Sequence, residues 1–115
     1  MCTVSWLRRP IDSAEANVGA YELFFNRDEL KTRKPALPPR LKTIDGVKML
    51  TPEDGDAGGT WMAVNEYGLT VCLLNYYDRP YELMSGESFT SRGLLVLALA
   101  GKRSVSEAQH YLDTE

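Results

Sequence analysis

Thr60-Trp61-Met62-Ala63-Val64-Asn65-Glu66-Tyr67-Gly68-Leu69-Thr70-Val71-Cys72-Leu73-Leu74-Asn75 is the stretch whose reading decides the fold. Two segments rich in apolar and β-favouring residues, 60–65 and 69–75, flank a turn at Glu66-Tyr67-Gly68, and Gly68 is suited to positive φ. The spacing predicts a β-hairpin. Its second strand is nearly all apolar, as expected of a strand with both faces covered.

Working outward, Thr3-Val4-Ser5-Trp6-Leu7 alternates polar and apolar and predicts a strand that starts almost at the first residue. Ile11 to Gly19 is polar and turn-like, and Ala20 to Asn26 predicts a second strand paired with the first. A hairpin of that length brings Arg27 and Asp28 beside Cys2. Lys31 to Gly59 is rich in Pro and Gly and is predicted as a long excursion with one short strand, Val47-Lys48-Met49-Leu50.

Tyr76 to Ser88 reads as an aromatic loop, and a helix is predicted from Thr90 or Ser91 through Leu94–Ala100 to a stop at Gly101. Ser104 and Glu107 form a capping-box pattern for a last helix with Ala108, Tyr111 and Leu112 on one side. Strands come first and helices last. The expected class is α+β, with the helices covering one face of a mainly antiparallel sheet.

The chain has 115 residues, 43% hydrophobic and 25% charged, which fits one domain with a real core. A net charge of -3 argues against non-specific binding to nucleic acid. The longest apolar run, Leu94 to Ala100, falls far short of the roughly 20 residues of a membrane span, and the N-terminus lacks a signal-peptide core. The expected location is the cytoplasm. Two cysteines do not make a disulfide framework, and a single histidine, His110, with no clustered Cys/His spacing argues against a metal site.

Cys2 sits directly behind Met1. Removal of Met1 would place a thiol and an α-amine on one residue, and that amine, with an ordinary pKa of about 7.7, can serve as the base for its own thiol. Such a nucleophile needs an acceptor to orient the amine, a cation beside the thiolate and donors for an oxyanion. In Asn26-Arg27-Asp28-Glu29, Asp28 can supply the first and Arg27 the second; the tetrapeptide alone also reads as a solvated strand end. Asn75 is either a strand-terminating cap or an oxyanion donor. Cys72, inside Val71-Cys72-Leu73-Leu74, reads as an inert thiol, and His110 as a surface or structural residue.

Met1-Cys2-Thr3-Val4, Tyr21 to Glu29, Gly58 to Asn65 and Gly68 to Tyr76, in that order, resemble the NRDE family, also called the transport and Golgi organisation 2 family. Eukaryotic relatives are linked to secretory organisation and haem trafficking. A more distant similarity, carried by Met1-Cys2-Thr3, the Arg/Asp strand end and Asn65-Glu66-x-Gly68-Leu69 leading to Leu74-Asn75-Tyr76, is to choloylglycine hydrolases and penicillin V acylases. These are N-terminal-nucleophile amidases with an αββα sandwich. The similarity implies Cys2 as nucleophile, Asp28 holding its amine, Arg27 near the thiolate and Asn75 at the oxyanion hole.

Two departures stand out. The amidases carry the arginine three positions before the aspartate, where this chain has Phe25, and adjacent strand residues such as Arg27 and Asp28 face opposite ways unless the strand bends. Members of both groups also run well beyond this length. The chain is therefore expected to be a single domain, 1–115, equivalent to the N-terminal half of the sandwich. One sheet face would be left for a second copy or a complementing C-terminal half.

Two functions remain open from sequence. One is hydrolysis of a linear, non-peptide amide through Cys2 without a cofactor, with Trp61, Tyr76 and Tyr77 walling the acyl pocket or simply packing in the core. The other is non-enzymatic carriage of haem or another hydrophobic metabolite, with Cys2 at most a thiolate ligand.

Overall fold

In a computed structural model, which describes residues 2–8, 21–28, 31–32, 34–56, 58–74 and 92–114, the chain divides into two units, Met1–Leu30 and Lys31–Glu115. The first is a two-stranded antiparallel hairpin of β1 (Thr3–Arg8) and β2 (Tyr21–Asn26). Its register runs unbroken from Thr3↔Asn26 to Arg8↔Tyr21, so Val4, Trp6 and Arg8 share a face with Phe25, Leu23 and Tyr21. Apart from Arg8, that face is made of apolar and aromatic residues because both strands alternate in phase. Trp6 is nevertheless 67% exposed.

The second unit is a four-stranded antiparallel meander, β3 (Leu37–Ile44), β4 (Val47–Glu53), β5 (Met62–Asn65) and β6 (Thr70–Cys72), followed by α1 (Arg92–Ala100) and α2 (Val105–Thr114). The observed architecture is therefore α+β, as expected. The predicted hairpin at 60–75 is β5–β6, with Gly68 at φ 81° closing its turn.

The excursion predicted for Lys31 to Gly59 is instead largely an ordered hairpin, β3–β4. Asp45 and Gly46, at φ 53° and 77°, form the two-residue turn between alternating segments, a conformation that twists with the strands it joins. Pro38 and Pro39 are accommodated because β3 is an edge strand with a register shift between Leu37 and Arg40, where the missing N–H groups interrupt no regular ladder.

The core lies between one sheet face and α1. Val47, Met49 and Thr51 alternate inward from β4, Ala63 and Asn65 from β5, and Val96, Leu99 and Ala100 press down from α1. Where the β4–β5 ladder ends, the buried Thr51 and Thr60 hydroxyls both donate to the Met62 carbonyl, at 3.0 Å and 2.9 Å. Gly59 and Gly93 allow the preceding loop to touch the first turn of α1: a Cβ on Gly59 would lie 2.7 Å from the Gly93 backbone.

The opposite sheet face is not covered to the same degree. Leu41, Leu50 and Val64 form a cross-strand row there and are 76%, 45% and 38% exposed. β6 is half-buried along its length: Val71 packs against the core cluster, and Leu74, beyond the end of the strand, is exposed.

α1 ends at Gly101, as read from sequence. Gly101 does not take positive φ; its N–H closes the last turn onto Leu97 and Ala98, and a Cβ would meet Ile44 at 3.4 Å. At α2 the Glu107 N–H donates to Ser104 Oγ at 3.1 Å, and the Glu107 carboxylate accepts from the Arg103 N–H at 2.8 Å. This is the predicted box shifted back by one residue on its return bond. Ala108 and Tyr111 are half-buried, but Leu112 is exposed.

Candidate functional site

The N-terminal hairpin places Cys2 where its register predicts. Extending the Thr3↔Asn26 pairing by one step sets Cys2 opposite Arg27, and the contact formed is one residue further on. The Asp28 main-chain N–H donates to Cys2 Sγ at 3.4 Å, and the thiol faces the Asp28 carbonyl at 3.9 Å. Cys2 is half-buried, whereas Asp28 is exposed.

The Asp28 carboxylate has a second task. A hydrogen bond from the chain's amino terminus, reinforced by the charge of that terminus, holds the Asp28 carboxyl below its ordinary value of 3.8 against an opposing desolvation. The Asp28 backbone thus meets the Cys2 thiol, and its carboxyl is held low by the amino terminus.

β2 ends at Asn26, so Arg27 and Asp28 lie outside the strand and its strict alternation no longer separates them. Arg27 is half-buried. Trp61 belongs to the second unit, where it is half-buried and its carbonyl accepts from the Leu73 N–H at 2.8 Å. Asn75, Tyr76 and Tyr77 lie outside the described residues.

Cys72 is half-buried on β6, and burial pushes its thiol above the ordinary value, consistent with the inert reading. His110 is exposed on α2. It borders a cleft of about 410 Å³ with Lys102, Ser106, Glu107, Tyr111 and Thr114, in which the Lys102 ammonium sits 4.7 Å from the Tyr111 ring centre and Glu107 caps its own helix. Among the described residues no group of three or more His, Cys, Asp or Glu side chains could hold a metal ion, and no helix is long and apolar enough to cross a membrane.

Sequence reasoning missed two residues' roles. The first is the Asp28 backbone, invisible to an argument about side chains. The second is Asn65, which is buried and uses its whole amide: Nδ2 donates to the Ala100 and Lys102 carbonyls at 2.9 Å and 2.6 Å, and Oδ1 accepts from the Tyr67 and Leu69 N–H groups at 2.9 Å and 3.1 Å. It ties the β5–β6 turn to the end of α1. The available signal was its place immediately before Glu66-Tyr67-Gly68.

No curated protein and no solved structure matches the chain closely enough to count. The sequence model of one family, described as transport and Golgi organisation 2, matches residues 5–114. That span contains Asp28, Asn65 and the β5–β6 hairpin, and it begins three positions after Cys2. With nearly the whole chain matched and the Asn26-Arg27-Asp28-Glu29 motif at the hairpin end, the chain belongs to the transport and Golgi organisation 2 family, also called the NRDE family.

Proposed function

We propose that the protein is an amidohydrolase of the N-terminal-nucleophile type, cleaving a non-peptide C–N amide bond through Cys2 once Met1 is removed. The observation that carries this reading is the contact of the Asp28 main-chain N–H with the Cys2 sulfur; the amino terminus also holds the Asp28 carboxyl below its ordinary value. Removal of Met1 transfers the amine to Cys2 itself, with Asp28 as the acceptor that orients it.

The thiol passes its proton to the α-amine and the sulfur attacks the amide carbon, forming a C–S bond and an oxyanion. Collapse breaks the C–N bond as the ammonium returns the proton to the leaving nitrogen. Water, deprotonated by the same amine, then attacks the thioester and releases a carboxylic acid and the thiol. Asn75 is proposed as an oxyanion donor, Arg27 as the cation near the thiolate, and Trp61, Tyr76 and Tyr77 as walls for an apolar acyl group.

Labelling of the full chain with an acyl electrophile, mapped by intact and peptide mass spectrometry, tests this. The expected result is a chain lacking Met1 that carries one label on Cys2, absent in Cys2→Ala. Retention of Met1, or labelling indifferent to Cys2, overturns it. So does a haemin titration with a Cys2-dependent Soret shift in a chain that resists acylation, which is the signature of a carrier.

A further inference from the structure

The carboxylate of Asp28 cannot be what stabilises the Cys2 sulfur. An ionised carboxylate has no proton to donate and would repel a thiolate. The group that reaches Sγ is the Asp28 main chain: its N–H lies 3.4 Å from the sulfur, and its carbonyl, at 3.9 Å, faces the thiol proton. The backbone of one residue therefore offers an acceptor to the neutral thiol and a donor to the anion.

We propose that the main-chain N–H of Asp28 positions the Cys2 sulfur and stabilises it as a thiolate, a role separate from that of the Asp28 side chain. This rests on reading Cys2 as the reactive group, and it adds a donor that the residue types alone do not specify. Backbone N–H groups make their strongest hydrogen bonds to anionic acceptors, and a donor already in contact with the sulfur needs little rearrangement when charge develops. The six-pair register of the hairpin ends at Thr3↔Asn26, immediately beside Cys2 and two residues before Asp28.

The charged groups at this end of the hairpin, among the described residues and the terminus, are the amino terminus, the Arg27 guanidinium and the Asp28 carboxylate. Any of them can modulate the sulfur through space. Exchange of the side chain at position 28 removes the carboxylate and leaves the N–H in place, and only proline removes the N–H.

The test uses the ¹⁵N-labelled full chain, following the residue-28 amide proton from about pH 6 to about pH 10, across the ordinary range of a thiol. It is paired with iodoacetamide alkylation of Cys2 in wild type, Cys2→Ser, Asp28→Asn and Asp28→Pro. In wild type and Asp28→Asn the amide proton moves in step with the rise in alkylation rate, and in Cys2→Ser it does not. Asp28→Pro alkylates roughly tenfold more slowly than Asp28→Asn, the scale of one hydrogen bond to a charged group. An unmoved amide in wild type, or a loss in Asp28→Asn as large as in Asp28→Pro, overturns the proposal. Because Asp28→Pro can distort the hairpin, the amide signature in Asp28→Asn decides the matter by itself. Neither readout requires acylation or hydrolysis, so failure of the hydrolase reading shows separately.

Discussion

The hairpin and the sheet unit solve different problems with the same antiparallel pairing. In the sheet unit, β4 and β5 bury Val47, Met49, Thr51, Ala63 and Asn65 beneath α1, and the buried hydroxyls and amide are all hydrogen-bonded. In the hairpin, no described residue is fully buried, and Trp6, Leu7 and Phe24 are more than half exposed. Two strands alone bury too little to be independently stable. The sheet unit therefore holds the larger share of the stability, and the hairpin holds the residues proposed to react. The two cysteines follow the same division: burial pushes the thiol of Cys72 up, whereas Cys2 sits half-exposed against a donating N–H.

The largest expected effect comes from breaking the sheet side of this contrast. Met49→Ala removes a side chain that is 1% exposed at the centre of the core cluster, and the cavity should cost about 3–4 kcal/mol of unfolding free energy in urea titration. Below its unfolding transition, the variant should still alkylate at Cys2 at the wild-type rate, because the contact to the sulfur comes from Asp28 within the same hairpin. A parallel loss of Cys2 reactivity would show that the hairpin's geometry depends on the sheet core.

Next in size is Asn65→Ala. It leaves the Ala100 and Lys102 carbonyls and two turn N–H groups without their present partner, at an expected cost of about 2–3 kcal/mol. Hydrogen exchange should locate the damage at Tyr67, Leu69 and the last turn of α1. Exchange that accelerates uniformly instead would mean that Asn65 supports the whole unit rather than that one junction.

What could be read from the sequence followed the range of the forces involved. β1, β2, β5 and β6 were legible because alternation and a glycine turn are local, and the register of the first pair was enough to bring Asp28 to Cys2. Of the β3–β4 hairpin only Val47 to Leu50 of β4 was read as a strand, although Asp45-Gly46 between alternating segments is a strong turn signal. Pro38 and Pro39 argue for a loop unless the strand is known to lie at an edge with a shifted register, and that is tertiary information. The fourfold bonding of Asn65 depends on where α1 ends, 35 residues later in the Asn65–Ala100 bond, which no local pattern encodes. At the candidate site the residue identities were legible, but the use of a backbone group was not.

The smallest effect, and the one that most sharpens the contrast, is a titration. The amino terminus holds the Asp28 carboxyl below its ordinary 3.8, so the charged form is favoured in the folded chain. The sign follows: the stabilisation is present above the unfolded value and is lost as the pH falls through the lower folded one. Acetylation of the amino terminus removes its charge and replaces the ammonium with a single neutral N–H donor. A ¹³C NMR titration of the Asp28 carboxyl should then move up toward 3.8, with the Cys2 alkylation rate little changed if the sulfur is held by the N–H. Should acetylation leave that titration where it was, the low carboxyl would have another source. Asp28 would then keep its contact with the sulfur but lose its claim to anchor the amine, and with it the base of the proposed hydrolysis.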